Sequence, residues 1–211
     1  MRIAIDARPA LDPRRTGVGQ YTQQLIRHLP HEDPESDYVA WYLHARGLLR
    51  PRTFFDDPGA PNLTEKASRF PARVFQPVAW RLGLPRVEWL VDFDVFLATN
   101  FVAPATGLGG RVVSIVHDLA FRRFPETAPQ IDARWRRRFA ETLREAPAIV
   151  VPSSSAADDL AEAYPTVIGR VHVVHHGVDA SAFAPVPQRA IDEVRRRFGI
   201  PGAYALFLGG I

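Results

Sequence analysis

The chain has 211 residues, of which 46% are hydrophobic and 23% charged, a composition typical of a folded globular protein and not of a disordered or collagen-like chain. It contains no cysteine, which excludes disulfides, thiolate metal sites and a cysteine nucleophile. The formal net charge is only +3, from 26 basic and 23 acidic side chains, so bulk charge does not indicate nucleic-acid binding.

The start of the chain argues against secretion, because Asp6 comes before any apolar segment has formed. No later apolar run reaches the roughly 18 residues of a membrane span. We therefore expect neither a secretory signal nor a transmembrane helix. The expected location is the cytoplasm, with peripheral contact at the inner face of the membrane where basic side chains cluster.

Short apolar, β-branched runs alternate along the chain with longer stretches of helical period. This alternation predicts an α/β fold with a mostly parallel sheet flanked by helices. The predicted strands are Arg2–Asp6, Tyr38–Leu43, Arg73–Phe75, Asp94–Ala98, Val112–His117, Ala148–Pro152, Val171–His175 and Ala203–Leu208. The predicted helices are Gly17–Leu29, Val78–Val91, Pro129–Glu145, Ser155–Tyr164 and Gln188–Phe198. Residues 46–70 are predicted to be an irregular connection.

The end of the chain has the pattern of a strand that opens a second domain. Ala203–Leu208 is followed by two glycines, and two prolines with a polar helix come before it, as in an interdomain linker. We expect one domain at 1–184, a linker at 185–202 and, at 203–211, the first strand of a truncated second domain. The alternative is that this strand pairs at the edge of the only sheet.

Ligands of open parallel sheets bind beyond the carboxyl ends of the strands, so the residues that follow each strand are the candidates for chemistry. After the first strand, Gly17 and Gly19 open a helix whose free N–H groups and dipole favour a phosphate. The loop before this helix is too long for a nicotinamide fingerprint. The alternative is a turn with a glycine N-cap and no ligand.

His117 and Asp118 directly follow a central predicted strand. A neutral imidazole there can exchange a hydrogen bond with a sugar hydroxyl or act as a base, and the carboxylate can orient a ligand or the ring. The structural alternative is an Asp118 that starts a helix and a His117 held by a hydrogen bond at the end of a strand.

Ser153 to Ser155 follow another strand, and Ser155 stands three residues before Asp158, a spacing that indicates a helix cap. A serine hydrolase is not indicated, because the sequence has no Gly-x-Ser-x-Gly elbow.

Three histidines in the segment 172–176 invite a zinc hypothesis. No carboxylate or thiolate lies at ligand spacing, so we expect no metal site. Instead, His176 and Asp179 are expected at the ligand-bearing end of the sheet.

The helix predicted at 129–145 has an apolar stripe and arginine-rich remaining faces. The stripe consists of Ile131, Trp135, Phe139 and Leu143, and the arginines are Arg134, Arg136, Arg137, Arg138 and Arg144. One interpretation is that the arginines form a basic surface that binds anionic lipid or a phosphate-bearing acceptor. The alternative is that they are the solvated face of an ordinary amphipathic helix.

Taken together, these clusters resemble the amino-terminal half of a glycosyltransferase of family 4, the large retaining family with the two-lobed GT-B fold. The resemblance covers essentially the whole chain. The segments that carry it, in the family's order and spacing, are 6–9 with 16–22, 93–96 running to 102–104, 116–119 with 124–126, 149–153 and 173–179. The chain is most similar to the bacterial mannosyltransferase-like group that builds surface polysaccharides.

The resemblance implies a Rossmann-like lobe that receives the acceptor, while the other lobe holds the donor nucleotide and transfer occurs in the cleft between them. It places the glycines beside the donor diphosphate and His117 on the donor sugar. The candidate residues are His117 and Asp118 for catalysis, Gly17, Gly19, His176 and Asp179 for the donor, and Arg14, Arg15 and Tyr21 for the acceptor.

The sequence also departs from the family, which commonly has arginine where Gln20 stands and asparagine where His176 stands. The family's motifs for the nucleotide and donor sugar belong to the lobe that would begin at Ala203, and the 211 residues do not contain them. Without groups that neutralise the departing diphosphate, the main electrostatic contribution to transfer is lost. We therefore expect these residues to be inactive on their own.

The leading hypothesis is the acceptor lobe of a retaining glycosyltransferase that moves a hexose, mannose from GDP-mannose, to a glycan or lipid-linked acceptor. The nucleotide sugar is then a substrate, and no cofactor, metal or nucleic acid is expected. The alternatives are a self-sufficient module that binds a glycan or lipid phosphate, and a GT-B relative such as a sugar-nucleotide epimerase.

Overall fold

The structure, a computed structural model, describes residues 1–12, 16–44, 55, 60–69, 85–178 and 180–206. Within these residues, seven strands form one sheet: β1 (Arg2–Asp6), β2 (Asp37–His44), β3 (Leu63–Arg69), β4 (Val95–Ala98), β5 (Val112–Ile115), β6 (Ala148–Val151) and β7 (Val171–Val173). Their order is β3-β2-β1-β4-β5-β6-β7, and every neighbouring pair is parallel. The predicted α/β, Rossmann-like sheet flanked by helices is confirmed.

In the described part of the chain, five α-helices join or follow these strands: α1 (Gly17–Glu32), α2 (Ala120–Arg123), α3 (Ala133–Glu145), α4 (Ser154–Ala163) and α5 (Gln188–Phe198). Short 3-10 turns cover Arg8–Leu11, Val87–Trp89, Gly109–Arg111, Pro125–Thr127, Pro165–Arg170 and Ala180–Phe183. Among the helices of the described residues, none combines the length and the apolar composition that crossing a bilayer requires.

Both faces of the sheet carry buried clusters, and one strand contributes to both because its successive side chains point to opposite sides. On one face, Ile5 of β1 packs with Ile26 of α1. On the other face, Ala4 packs with Trp41 and with the segment 87–93. A third cluster joins Phe139 and Leu143 of α3, Leu160 of α4, and Ile149 and Val151 of β6. Each fully buried side chain of this size stabilises the fold by roughly 1.5–3 kcal/mol, so the clusters hold the strand ends in place.

The order of the strands reverses at β1, which pairs with β2 on one side and with β4 on the other. In open α/β sheets the crevice beyond the carboxyl ends of two such strands is the usual ligand site. Here that crevice is bordered by residues 7–8, after β1, and 99–101, after β4.

Strand β3 is the main difference from the sequence prediction, which had an irregular connection at 46–70. Leu63–Arg69 instead pairs with β2 along its whole length. Its sequence lacks an apolar pattern because it forms the edge of the described sheet, with Thr64 and Lys66 exposed. The strand predicted at 73–75 lies outside the described residues, as does most of the helix predicted at 78–91; the described part of that helix forms only the turn Val87–Trp89.

Two strands end two residues earlier than predicted, β5 at Ile115 and β7 at Val173. His117 and the histidines at 175 and 176 therefore lie in loops beyond the sheet. The strand predicted at Ala203–Leu208 is not formed in its described part, because residues 203–206 have no paired neighbour. The helix Gln188–Phe198 is confirmed at both ends.

By its contacts the chain divides into two compact units, residues 1–176 and 177–211. The first contains the seven strands and α1 to α4. The second contains α5, which ends at Gly199 in the left-handed conformation, with φ of 64°. The division into a domain at 1–184, a linker and a second domain stays a prediction.

Candidate functional site

His117 lies two residues beyond the end of β5 and is held by one hydrogen bond to the loop after β4. Its Nε2 is 2.9 Å from the backbone carbonyl oxygen of Thr99. A carbonyl only accepts hydrogen bonds, so Nε2 carries the proton and donates it. In the neutral ring, Nδ1 is then left as an acceptor.

The surroundings of His117 favour this neutral ring. Burial lowers the pKa of His117 below its ordinary 6.5, and the carbonyl of Thr99 opposes that shift. The neighbouring His176 lowers the pKa further. At neutral pH the site therefore presents an uncharged imidazole, which suits a sugar hydroxyl better than a phosphate.

An aromatic cluster surrounds His117. Tyr21 and Phe101 meet the imidazole edge to face at centroid distances of 5.1 and 5.7 Å, and the ring of His176 is 5.9 Å away. Tyr21 and His176 contact each other at 4.7 Å. Burial raises the pKa of Tyr21, so its phenol stays protonated. The structure thus brings together three predicted site residues that the sequence analysis had assigned separately, His117 to catalysis, His176 to the donor and Tyr21 to the acceptor.

Phe101 is a site residue that the sequence reasoning missed. Its φ of 42° lies in the left-handed region, which costs a non-glycine residue about 1–3 kcal/mol and is found most often at functional sites. Its ring also contacts Trp135 and Phe139 of α3, which fix its position beside the imidazole. No sequence pattern marks a positive φ at a phenylalanine, so only the structure identifies this residue.

The reversal point of the sheet is connected by hydrogen bonds that the sequence reasoning also missed. The hydroxyl of Thr99 donates to the backbone oxygen of Asp6 at 2.7 Å. The carboxylate of Asp6, 1% exposed, accepts two hydrogen bonds from the Arg8 side chain, at 2.7 and 2.6 Å. Burial lowers the pKa of Arg8, but the Asp6 carboxylate outweighs this effect and the pKa is raised. The sequence signal was the Asp6-Ala7-Arg8 segment at the end of β1.

The two glycines of α1 have different surroundings. A Cβ on Gly19 would be 2.7 Å from the backbone oxygen of Pro9, so this glycine allows α1 to pack closely against the preceding turn. A Cβ on Gly17 would meet nothing within 4 Å. Thr16, not a glycine, caps the helix, and its hydroxyl accepts the N–H of Gly19. Among the described residues the N–H groups of Gly17 and Val18 have no partner, so they are the ones available to an anion.

Comparison with known families identifies the family of the chain. Residues 15–182 match the family model described as Glycosyltransferase Family 4. The chain belongs to glycosyltransferase family 4. The family indicates, in general terms, a nucleotide-sugar donor and a glycan acceptor. No curated protein sequence matches the chain.

In this glycosyltransferase chain, Asp118 has a structural contact. Its Oδ1 accepts the N–H of Ala120 at 2.9 Å and so supports the first turn of α2. The carboxylate is exposed and makes no hydrogen bond to His117 within the described residues. The geometry thus matches the structural alternative for Asp118, and its catalytic role stays a prediction.

The serines and histidines that follow β6 and β7 make contacts within the fold. Ser153 caps α4 by accepting the N–H of Ala156 at 3.1 Å, so the cap predicted at Ser155 was wrong. His175 donates through Nδ1 to the carbonyl of Pro152 at 3.0 Å. The described part of the chain holds no group of three or more His, Cys, Asp or Glu side chains able to bind a metal.

Three predicted site residues lie outside the described residues of the glycosyltransferase chain: Arg14, Arg15 and Asp179. Their assignments to the acceptor and the donor stay predictions.

Helix α3 has the predicted apolar stripe, with Phe139 and Leu143 buried and Ile131 and Trp135 packed against them. Several of its arginines are ion-paired on the helix surface. Arg137 and Arg138 both face Glu141, and Arg144 faces Glu145. Surface pairs of this kind contribute little to stability, but they reduce the positive potential that a bare arginine face would have.

Proposed function

We propose that this chain is the acceptor-binding lobe of a retaining, two-lobed GT-B hexosyltransferase that moves mannose from GDP-mannose to a glycan or lipid-linked acceptor. The observation that supports this most strongly is the convergence of Tyr21, His117 and His176 at the reversal point of a family 4 sheet. Family membership favours transfer over the epimerase and binding-module alternatives.

His117 is assigned to the donor sugar. Its neutral ring has Nε2 occupied by the Thr99 carbonyl, so Nδ1 accepts a hydrogen bond from a sugar hydroxyl. A phosphate would instead require a cationic or donor group. We therefore assign the sugar to the uncharged imidazole and the diphosphate to another part of the site.

The diphosphate is assigned to the start of α1. The N–H groups of Gly17 and Val18 and the positive end of the helix dipole favour an anion there. The open space beside Gly17 allows close approach to the backbone. Gly19 contributes indirectly, because it sets the position of α1 against the turn at Pro9.

The mechanism that fits these residues is front-face attack assisted by the leaving diphosphate. Asp118, the carboxylate next to His117, is already used to start α2 and is exposed, which does not favour it as a covalent nucleophile. The lobe that grips the nucleotide would supply most of the electrostatic stabilisation of the departing diphosphate.

The test is transfer from GDP-mannose by the intact two-lobed enzyme that the proposal requires. His117→Ala removes one hydrogen bond to the sugar and should lower kcat/KM by about tenfold or more. The matched control is His172→Ala, because His172 is exposed on β7 outside the aromatic cluster. Equal turnover by both variants, or no transfer from any nucleotide sugar, would contradict the proposal. Faster transfer from a UDP-hexose than from GDP-mannose would show that the donor assignment is wrong.

A further inference from the structure

Trp135, on α3, contacts both chain segments that surround His117. Its indole lies 5.8 Å from the ring of Phe101, in the loop that follows β4, and 5.0 Å from the ring of Phe121, in the short helix α2 that follows His117. It also stacks on Phe139, with 5.4 Å between the centroids and 21° between the ring planes. Phe139 is buried, so Trp135 connects both segments to the core of the chain.

The imidazole of His117 depends on ring packing for its orientation. Within the described residues one hydrogen bond holds it, from Nε2 to the carbonyl of Thr99, and a single bond leaves the ring able to turn about the line between the two atoms. Of the three described rings that contact it, only that of Phe101 is packed against the buried cluster of α3 and β6. Phe101 is therefore the neighbour that can fix the direction of Nδ1.

The loop that carries Phe101 also carries the hydrogen-bond acceptor of His117. Phe101 has a φ of 42°, and a non-glycine residue keeps such a backbone only where its surroundings over-determine it. Its N–H donates to the carbonyl of Ile115 at 3.2 Å, and its ring is supported by Trp135. Thr99, whose carbonyl accepts from Nε2, stands two residues earlier. A loop that relaxes when the ring loses its support therefore displaces both the packing and the hydrogen bond of the imidazole.

The segment on the other side of His117 is supported by the same helix. Helix α2 has only four residues, too few to be stable by itself, so its position follows from what it packs against. Its one buried residue, Phe121, lies against Trp135. The neighbouring Arg136 donates to the Phe121 carbonyl at 3.4 Å, with its guanidinium 5.6 Å from the ring. Movement of Trp135 would therefore reach His117 from both directions along the chain.

The alternative is that Trp135 only adds to the stability of α3. Leu143 separates the two explanations, because it belongs to the same apolar stripe and is more deeply buried, at 1% exposed. It lies eight residues further along the helix, which is about 12 Å from Trp135. A substitution there weakens the packing of α3 without removing a ring that contacts Phe101 or Phe121.

We propose that Trp135 is a positioning residue for His117. Its indole fixes Phe101 on one side and Phe121 on the other, and so holds the imidazole with Nε2 on the Thr99 carbonyl and Nδ1 open to a ligand. The consequence for transfer rests on the proposed function, because the assignment of Nδ1 to the donor sugar does. The position of the imidazole does not rest on it and can be measured in the chain without substrate.

The first experiment records the long-range ¹H–¹⁵N correlations of His117 in the 211-residue chain over a pH series. Trp135→Leu keeps an apolar side chain but removes the aromatic contacts, so we expect a mixture of the two neutral tautomers in place of Nε2–H alone. As the ring becomes less buried, its midpoint should rise by at least about 0.3 pH unit, a twofold change in proton affinity. His176 and Asp118, the charged neighbours that act on this pKa, are unchanged in the variant.

Two control variants separate position from stability. Trp135→Phe keeps an aromatic ring on α3 and should restore most of the original tautomer and midpoint. Leu143→Ala should lower the free energy of unfolding, measured with urea, at least as much as Trp135→Leu, yet change the midpoint of His117 by less than about 0.1 pH unit. An equal shift in Trp135→Leu and Leu143→Ala, or no shift in Trp135→Leu, would overturn the inference.

Phe101→Gly tests the same contact if Trp135→Leu does not fold. Glycine adopts a φ of 42° without strain, so this variant removes the ring but leaves the turn possible. It should reproduce the tautomer mixture and the raised midpoint. A Phe101→Gly chain in which His117 keeps Nε2–H alone and its original midpoint would show that ring packing does not position the imidazole, and the inference would be wrong.

The second experiment is a double-mutant cycle in the intact two-lobed enzyme. Trp135→Leu should lower kcat/KM at least about threefold where His117 is present, and less than about 1.5-fold where His117→Ala has already removed the imidazole. Equal losses in the two backgrounds would mean that Trp135 acts elsewhere, which contradicts the inference but leaves the proposed function. A shifted His117 midpoint in Trp135→Leu, without transfer from any nucleotide sugar by the original enzyme, would overturn the proposed function and leave the positioning role.

Discussion

At His117, a single hydrogen bond determines which ring nitrogen meets a ligand. Because Nε2 donates to the Thr99 carbonyl and burial lowers the pKa, the folded chain should hold the Nε2-protonated tautomer and titrate below 6.5. Long-range ¹H–¹⁵N correlation spectra, recorded over a pH series, report both properties. His176→Gln should shift the midpoint of His117 upward, because it removes a neighbouring charge that opposes protonation. A protonated Nδ1, or a midpoint above 6.5, would contradict the assignment.

The lowered pKa of His117 also makes the stability of the folded chain depend on pH. A histidine in the unfolded chain takes up its proton near pH 6.5, whereas folded His117 does so at lower pH. Between these two pKa values the unfolded state binds more protons, so the stability that His117 contributes falls as pH is lowered through this window and is constant below it. Urea denaturation at pH 7.5 and pH 5 should therefore show a smaller loss of free energy of unfolding for His117→Gln than for the original chain.

For single residues, the sequence predicted which positions lie at the candidate site better than it predicted what each side chain contacts there. His117 and Tyr21 were identified because they follow a strand or open a helix, which is a matter of chain order. The hydrogen bond from His117 to Thr99 and the positive φ of Phe101 depend on how β4 and β5 lie side by side, and no local pattern encodes that. Asp118 shows the converse, because its capping contact to Ala120 is local and was one of the alternatives drawn from the sequence.

At the scale of elements, the structure and the sequence pattern name different serines as the cap of α4, so mutating each serine tests one against the other. Ser153→Ala removes the acceptor for the N–H of Ala156 and should cost about 1 kcal/mol in the free energy of unfolding. The matched control is Ser155→Ala, which replaces the exposed serine that the sequence pattern favoured as the cap. It should change stability by less than about 0.5 kcal/mol. Chemical denaturation of both variants measures this, and a larger loss for Ser155→Ala would mean that the helix starts later than the structure has it.

The elements that the sequence predicted well are those whose burial is encoded in their own residues. Strands β4 to β6 are covered on both faces, so they appear as short apolar runs. Strand β3 could not be found in this way, because it is stabilised by its pairing with β2 and by only part of one face, where Leu63 and Ala67 pack. Its other residues are as polar as those of a loop. Pairing with a distant strand is a tertiary property that a window of sequence does not contain.

At the scale of the whole molecule, the described residues of the candidate site all belong to the first compact unit. The reversal of strand order between β1 and β4 brings Arg8, Thr99 and His117 to one edge from segments that are far apart in the chain. The alternation of strands and helices predicted this class of sheet. It did not predict which strand ends would be neighbours, because that depends on the order β3-β2-β1-β4-β5-β6-β7.

The distribution of buried residues leads to a prediction for the intact fold. The seven strands and the residues of the three hydrophobic clusters lie within residues 1–176. In the second unit, no residue whose side chain is described is buried. Stability and the denaturant dependence of unfolding both follow the surface buried on folding. A chain of residues 1–176 should therefore unfold in one cooperative urea transition, with a slope close to that of the 211-residue chain.

The shortened chain should also keep the surroundings of His117. Tyr21, Thr99 and His176, which contact the imidazole, all remain, so Nε2 should stay protonated and the pKa of His117 should stay below 6.5. Long-range ¹H–¹⁵N correlation spectra of the shortened chain measure both properties. A chain of residues 1–176 that lacks a cooperative transition would show that the buried side chains of the described residues are not sufficient to hold the sheet together. One that unfolds cooperatively but carries the proton on Nδ1 of His117 would contradict the hydrogen bond to Thr99.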